Sequence, residues 1–181
     1  MLSGAALLSA VILTIGLHVR ASNESNKIFG NMTYFFDDGP SLDGKVAAKL
    51  NNGEHEEPYL NVYYENKYVY GDFNHDGLKD AAVIITENTG GNSDWYTLAF
   101  LINNGTKLVH KASVDLDDRA VINSMREKEG KVLIDMYVHG PDDSRGGPSK
   151  RVKNLYRYVN PDGLPGKKIT VPFDSAQVFS F

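Results

Sequence analysis

Short segments rich in apolar, aromatic and β-branched residues follow one another from residue 59 onward, several with the period of two that is typical of β-strands. Clusters of glycine, proline, asparagine and aspartate separate them and are typical of turns. The predicted strands are Tyr59–Tyr70, Ala81–Thr86, Trp95–Asn103, Lys107–Val114, Arg119–Arg126, Lys131–Val138 and Arg151–Val159, with a last short strand over Ile169–Val171.

Two of the turns predict β-hairpins. Asn104-Gly105 between two strand segments is the strongest short hairpin signal in the chain, and Glu127–Gly130 has the same position in the next pair. No repeat of 20 to 50 residues is present, which argues against a solenoid or a propeller. We therefore expect a mainly β protein of the α+β class, an antiparallel meander that is curled or sandwiched, with one short helix packed against it.

The soluble helix is predicted over Asp43–Leu50. Ser41 precedes it as a capping residue, apolar residues recur on one side, and Gly53 follows at the position where helices commonly end. No other segment after the N-terminal one predicts a helix as clearly.

The segment Leu2–Val19 contains no charged residue. As a helix it would span roughly 27 Å, near the lower limit for crossing a bilayer. One interpretation is a secretory signal peptide cleaved near Ala21, although the positively charged stretch that begins such peptides is missing. The other is a retained membrane anchor, with small residues one turn apart that would let a second helix approach closely. Of the two, we expect the anchor.

Both interpretations place the remainder of the chain outside the cytoplasm, on the periplasmic side of the membrane if the anchor is retained. The predicted organisation is an anchor or signal segment over residues 1–21, a polar spacer with the short helix over 22–58, and a β domain over 59–181. The alternative is a freely secreted protein.

Composition narrows the class of partner. The chain has 181 residues, a size that suits one domain, and 19 basic against 23 acidic side chains give a net charge of −4. A general nucleic-acid-binding protein would have an excess of basic residues. The absence of cysteine excludes disulfides and thiolate metal sites.

One motif predicts a metal site. In Asp72-Phe-Asn-His-Asp-Gly-Leu-Lys-Asp80, oxygen-bearing side chains occupy positions 1, 3, 5 and 9, and a glycine at position 6 permits a sharp reversal. Calcium prefers six to eight oxygen ligands in a flexible cage. The expected Ca²⁺ ligands are Asp72, Asn74, Asp76, the main-chain carbonyl of Leu78, and Asp80. Val83 stands where an EF-hand would have its glutamate, and both flanks are strand-like.

The segment Gly71–Val83 resembles the calcium loop of FG-GAP and VCBS-type repeats, written G-D-x-N-x-D-G-x-x-D-x-x-V. The resemblance implies a Ca²⁺ ion held between two strands, but it covers about 13 residues once, so it does not imply a propeller. A looser similarity over residues 70–148, to small uncharacterised exported bacterial proteins, rests on Gly90-Gly91, Tyr96–Ala99, Asp118-Arg119 and His139–Pro141. It implies fold and location only.

Other candidate positions are weaker. His139, Asp142 and Asp143 lie in a long loop with Arg145 and could hold a second ion or supply an acid or base. The tyrosines of Tyr59–Tyr70 could bind a sugar, although packing in the sheet is the commoner role. The remaining acidic and histidine positions have simpler explanations: a solvated turn for Asp115, Asp117 and Asp118, and a surface or cross-strand role for His110.

The motifs of serine hydrolases, phosphate-binding loops, zinc proteases and dinucleotide-binding proteins are absent from the sequence. We therefore expect a non-catalytic, membrane-anchored accessory or scaffold subunit of a larger membrane complex, with a structural Ca²⁺ site. The alternatives are a secreted or periplasmic module that binds carbohydrate or peptide through Tyr59–Tyr70 and the 139–150 loop, and a hydrolase that uses His139, Asp142 or Asp143.

Overall fold

The computed structural model describes residues 24–37, 45–143 and 147–160. Some of the predictions lie outside this part of the chain. They concern residues 1–21, residues 38–40 of the turn that begins at Asp37, Arg145 and the strand over 169–171. Within it, a short helix, α1, covers residues 24–29 and ten strands follow. The strands are β1 (Thr33–Asp37), β2 (Lys45–Lys49), β3 (Glu54–Glu57), β4 (Leu60–Gly71), β5 (Asp80–Asn88), β6 (Trp95–Asn103), β7 (Leu108–Asp118), β8 (Val121–Lys128), β9 (Lys131–Val138) and β10 (Lys150–Arg157).

The strands form three antiparallel sheets. The central sheet has five strands in the order β3-β4-β5-β6-β7, each next to its neighbour in sequence, so it is a meander. A two-stranded sheet, β1-β2, and a three-stranded sheet, β10-β9-β8, complete the described fold. The prediction of a mainly β, antiparallel meander is confirmed.

The central sheet is covered on both faces. On one face, α1 and the β1-β2 sheet pack over residues such as Val62, Val83 and Leu101 and form a first core with Phe29 and Tyr34. On the other face, the β8-β9-β10 sheet forms a second core, whose buried members include Ala82, Ile84, Leu98, Phe100, Ile122, Ile134 and Met136. Because β5 contributes to both cores, its residues 81–85 are buried without interruption, which explains the unbroken apolar run there.

The predicted helix over Asp43–Leu50 is wrong. Residues 45–49 form β2, which pairs with β1 in a register that places Val46 opposite Phe36 and Ala48 opposite Tyr34. Ala48 is buried and Ala47 is exposed, the alternation of a strand. The short apolar pattern fits both the helical period of 3.6 and the strand period of two. Pairing with β1, a strand that the sequence did not predict, makes this segment a strand.

Several polar residues of the segment predicted as a spacer form hydrogen bonds within the described part of the fold. Ser25 is buried and its hydroxyl donates to Oδ1 of Asn66 at 2.8 Å, while Nδ2 of Asn26 donates to the carbonyl of Asn52 at 3.2 Å. The main-chain N–H of Gly53 donates to the carbonyl of Gly30 at 2.8 Å. These asparagines and serines hold the N-terminal segment against the turn before β3, so their polarity serves internal hydrogen bonds.

Candidate functional site

The predicted calcium loop connects β4 to β5, in the strand–loop–strand setting that the sequence indicated. Phe73 anchors it: its side chain is 2% exposed and its ring lies edge-on to that of Phe100, with centroids 5.5 Å apart. His75 and Gly77 have positive φ angles of 61° and 84°. Two left-handed residues close together produce the tight reversal for which the glycine was expected.

Three of the predicted ligands lie together through hydrogen bonds within the loop. The carboxylate of Asp72 accepts the main-chain N–H groups of Asp76 at 3.1 Å and Gly77 at 3.0 Å. Nδ2 of Asn74 donates to Oδ2 of Asp76 at 2.7 Å, and Oδ1 of Asp76 accepts the N–H of Leu78 at 2.8 Å. The loop is thus folded by its own polar side chains, with Asp76 exposed at its tip.

Asp80 has a different environment. It is fully buried, and its Oδ1 accepts the N–H of Asn103 on β6 at 2.8 Å. Its Oδ2 accepts the N–H of Phe73 at 2.9 Å and, more weakly, that of Asn74 at 3.4 Å. Asp80 therefore ties the loop to the neighbouring strand through main-chain groups.

The oxygen atoms of the predicted ligands can be compared with the coordination that Ca²⁺ requires. All the predicted ligands are hard oxygen donors, and a carboxylate oxygen that accepts one N–H keeps lone-pair capacity for a cation. Within the described ranges, however, no three histidine or acidic side chains converge closely enough to hold a metal ion as a set. The chemistry of the loop suits calcium, and an ion would have to draw Asp72, Asp76 and Asp80 closer together.

The loop also contacts the three-stranded sheet. The main chain at Gly130, in the turn between β8 and β9, lies so close to the His75 ring that a Cβ there would come within 2.4 Å of its Cε1. Gly130 has a φ of +70°, and its N–H donates to Oε1 of Glu127 at 2.7 Å. The candidate site thus lies where two sheets meet, and its position depends on both.

A second constellation involves His139. Oδ2 of Asp117, on β7, accepts the main-chain N–H of His139 and lies 3.1 Å from its Nδ1. Since Asp117 accepts both contacts, Nδ1 of His139 carries a proton. Its Nε2 is buried and has no hydrogen-bond partner among the described residues. The prediction of a solvated turn at Asp117 is therefore wrong.

Asp143 closes the loop that follows His139. Its carboxylate accepts the main-chain N–H groups of Gly140 at 2.7 Å and Ser149 at 2.8 Å, as well as the Ser149 hydroxyl. These hydrogen bonds, with the nearby His139, lower the pKa of Asp143 to about 2. Asp142 is exposed at the turn. The structure brings His139 together with Asp117, a residue 22 positions away that no local sequence signal would have singled out.

The tyrosines of the predicted binding stretch belong mainly to the first core. Tyr64 is 8% exposed, and the rings of Tyr68 and Tyr70 lie 5.2 and 5.9 Å from that of Phe29. Tyr59 alone of this stretch is largely exposed, at 84%. The expectation that these tyrosines pack in the sheet is confirmed for the three core members.

His110 lies inside the fold, between two sheets. Its Nδ1 accepts the N–H of Phe35 on β1 at 2.9 Å, and its Nε2 lies 2.9 Å from the Ser113 hydroxyl. Because Nδ1 accepts an N–H, the proton is on Nε2 and the ring is neutral. The cross-strand role predicted for His110 is confirmed, although the side chain is buried and not on the surface.

No protein-family model, curated protein or solved structure matches the chain. Within the described ranges, no helix has the length and apolar character needed to cross a membrane.

Proposed function

We propose that this protein is a non-catalytic accessory subunit, anchored in a membrane by residues 2–19, whose β domain lies on the extracytoplasmic side and contains a structural Ca²⁺ site. The observation that carries the proposal is the position of the 72–80 loop. It is fixed by Phe73 in the second core and by buried Asp80, which accepts the N–H of Asn103 on β6, and it contacts the turn between β8 and β9.

An ion in this position would act on stability. Asp72 and Asp76 carry negative charges within one short, partly exposed loop, and a divalent cation would relieve their repulsion. The loop joins two strands of the central sheet and touches a second sheet, so fixing it would favour the native packing of both. Asp72, Asn74, Asp76, the carbonyl of Leu78 and Asp80 would hold the ion.

The membrane part of the proposal rests on the sequence. Leu2–Val19 is uncharged, and α1 begins five residues after Val19. An anchor there would hold the folded domain close to the bilayer, where small residues along the segment would suit packing against another membrane helix. A scaffold role follows from these two features together: a membrane helix that binds a complex and a rigid domain beside it.

The calcium site is tested by thermal unfolding of the full chain with Ca²⁺ or with a chelator. At a free Ca²⁺ concentration about 100 times the Kd, binding to the native state alone would add about 2.7 kcal/mol to the free energy of unfolding, which corresponds to a rise in Tm of roughly 5–10 °C. Asp76→Ala should remove this rise, whereas Asp142→Ala, which removes an exposed carboxylate elsewhere, should keep it. An unchanged Tm, with no metal in the purified protein, would show that the loop is an ordinary turn.

The anchor and the complex are tested by purification from membranes in a mild detergent, with mass analysis of the N-terminus. We expect the chain to retain residues 1–21 and to purify with integral membrane proteins. A soluble protein that begins at Ser22 and purifies alone would contradict the proposal.

The Asp117–His139 pair favours a hydrolase as the second candidate, because a carboxylate that orients an imidazole through Nδ1 leaves Nε2 as a base. Turnover of an ester or glycoside from a substrate panel, lost in His139→Gln and reduced in Asp117→Asn, would support it. A panel without turnover at any pH between about 5 and 8 would leave the pair with the structural role of joining β7 to the end of β9.

A further inference from the structure

The outer face of the β8-β9-β10 sheet is strongly basic. Side chains alternate on this sheet: the inward residues, such as Ile134 and Met136, are buried in the second core, and the residues between them lie on the outer face. Six of these outer residues are cations, and we call their surface the basic face. They are Arg126, Lys128, Lys131, Arg151, Lys153 and Arg157.

At one end of the basic face the cations have an acidic partner. Asp135 is only 9% exposed, and its two carboxylate oxygens accept hydrogen bonds from Nε and Nη2 of Arg151 at 2.9 and 2.8 Å. Nζ of Lys153 lies 3.7 Å away, and Nδ2 of Asn123 also donates to this carboxylate. The charges at this end are largely compensated.

At the other end, no carboxylate of the described residues forms an ion pair with a cation. Lys128, Lys131 and Arg157 lie directly opposite one another across the three strands, and Arg126 is next to them on the same face. Among the described residues, none of these four cations forms a salt bridge. Like charges directly opposite in a sheet are destabilising, so this row lowers stability unless an anion binds to it.

Apolar side chains lie between the cations. Leu133 is opposite both Arg126 and Leu155 in the next row, and Leu155 is 42% exposed. Val121, opposite Tyr137 at the far end, is 51% exposed. The face therefore combines a row of cations that have no ion-pair partner among the described residues with apolar groups that a purely aqueous surface would not require.

We propose that the basic face binds the surface of an anionic lipid bilayer, with the Lys128–Lys131–Arg157 row on the phosphate groups and Leu155 and Leu133 toward the acyl boundary. The size of the face favours a bilayer over a protein partner. Three strands about 4.8 Å apart, with about eight residues each rising about 3.4 Å, cover roughly 400 Å² of sheet plane, whereas a stable protein interface buries about 800 Å² on each partner.

The composition of the face favours a bilayer over a nucleic acid. Single-stranded nucleic acids bind to surfaces that offer aromatic rings for stacking, and the outer face has one, Tyr137, among aliphatic side chains. Clusters of four to eight lysines and arginines are typical of binding to anionic headgroups. The inference extends the proposed function by adding a second membrane contact, and it does not require calcium or a protein complex.

The test is co-sedimentation of the full chain with vesicles of phosphatidylcholine alone or mixed with phosphatidylglycerol. The test variant is Lys128→Gln/Lys131→Gln/Arg157→Gln, and the control is Lys27→Gln/Lys49→Gln/Lys107→Gln, which removes three positive charges elsewhere on the described surface. Each cation near an anionic surface strengthens binding about fivefold, so the test variant should lose roughly 100-fold in preference for the anionic vesicles. The control should keep that preference.

The two kinds of vesicle test the basic face and the proposed membrane anchor separately. Binding to neutral vesicles reports the apolar N-terminal segment, and the extra binding to anionic vesicles, which salt should weaken, reports the basic face. Equal losses in the test and control variants would overturn the inference. So would a preference for a single-stranded oligonucleotide that the test variant loses, with no preference for anionic vesicles. Removing the like-charge row should leave the unfolding midpoint of the test variant unchanged or higher, which verifies its fold.

Discussion

The acidic loop and the basic face each contain one buried carboxylate, and the two are stabilised in opposite ways. Asp80 in the loop is fully buried and accepts only main-chain N–H groups, from residues 73, 74 and 103. Asp135 on the basic face is bound by the side chains of Arg151 and Lys153, both more than half exposed. The first arrangement fixes the path of the main chain, and the second balances surface charge.

The difference between these two carboxylates predicts which region contributes more to the free energy of unfolding. Main-chain donors cannot move to water when Asp80 is lost, because β5, β6 and the second core hold them in place. Arg151 and Lys153 can rotate into solvent when Asp135 is lost. We therefore expect large effects on stability at the loop and small, pH-dependent effects at the basic face.

The largest effect is expected for Asp80→Ala. It leaves the buried N–H of Phe73 and the partly buried N–H of Asn103 without an acceptor, at about 1–3 kcal/mol each, so the free energy of unfolding should fall by about 2–6 kcal/mol. Urea unfolding in calcium-free buffer measures it. Asp76→Ala removes an exposed carboxylate of the same loop and should cost less than about 1 kcal/mol. Equal losses in the two variants would abolish the distinction between buried and exposed loop carboxylates.

An intermediate effect is expected where the two regions touch. Gly130→Ala introduces a Cβ at a positive φ and against the His75 ring, so we expect a loss of about 2–3 kcal/mol. Gly105→Ala is a matched control with a φ of +89° and no heavy atom within 4 Å of the added Cβ, and it should lose only about 1 kcal/mol. The difference between the two losses in unfolding free energy, measured by chemical denaturation, reports the contact between Gly130 and His75. A difference near zero would mean that the calcium loop does not contact the turn between β8 and β9.

The smallest effect is expected for Asp135→Asn, about 1–2 kcal/mol near neutral pH, because its cationic partners are exposed. The hydrogen bonds from Arg151 lower the pKa of Asp135 from 3.8 to about 2. A carboxyl with a lowered pKa stabilises the fold above its unfolded pKa, and this contribution is lost as the pH falls from about 5 to about 2. The stability of the wild type should therefore fall more steeply over this range than that of Asp135→Asn. Parallel pH profiles would show that the ion pair adds nothing.

The parts of the fold predicted from sequence are those with local signals. Strands β4 to β10 have apolar or alternating patterns, and the hairpins around Asn104-Gly105 and residues 127–130 join neighbours in sequence. The turn at Asn52-Gly53 has the same signal: both residues have positive φ, as in a type I′ turn, and it should have indicated a strand before it instead of a helix. β1 and β2 are too short for their period to decide, and only their packing on the central sheet makes them strands.

The candidate sites divide in the same way. The spacing of Asp72, Asn74 and Asp76 is a local property, so the sequence predicted the loop and its shape. The pairing of Asp117 with His139 and the row of Lys128, Lys131 and Arg157 depend on strand register, which brings together residues up to 29 positions apart. If the pairing register of β8, β9 and β10 had been predicted, it would have shown the row of cations. The register of each strand pair decides which residues lie opposite one another.

The first core has a consequence for the order in which the protein assembles during synthesis. Phe29 and Tyr34 leave the ribosome early, yet the surface that buries them includes Val83 and Leu101. The N-terminal apolar residues therefore remain without their packing partners until about 70 further residues have been made, at about 5–20 residues per second. During those seconds the nascent chain exposes an apolar N-terminal segment. A chaperone or a membrane close to the exit site would protect this segment from aggregation.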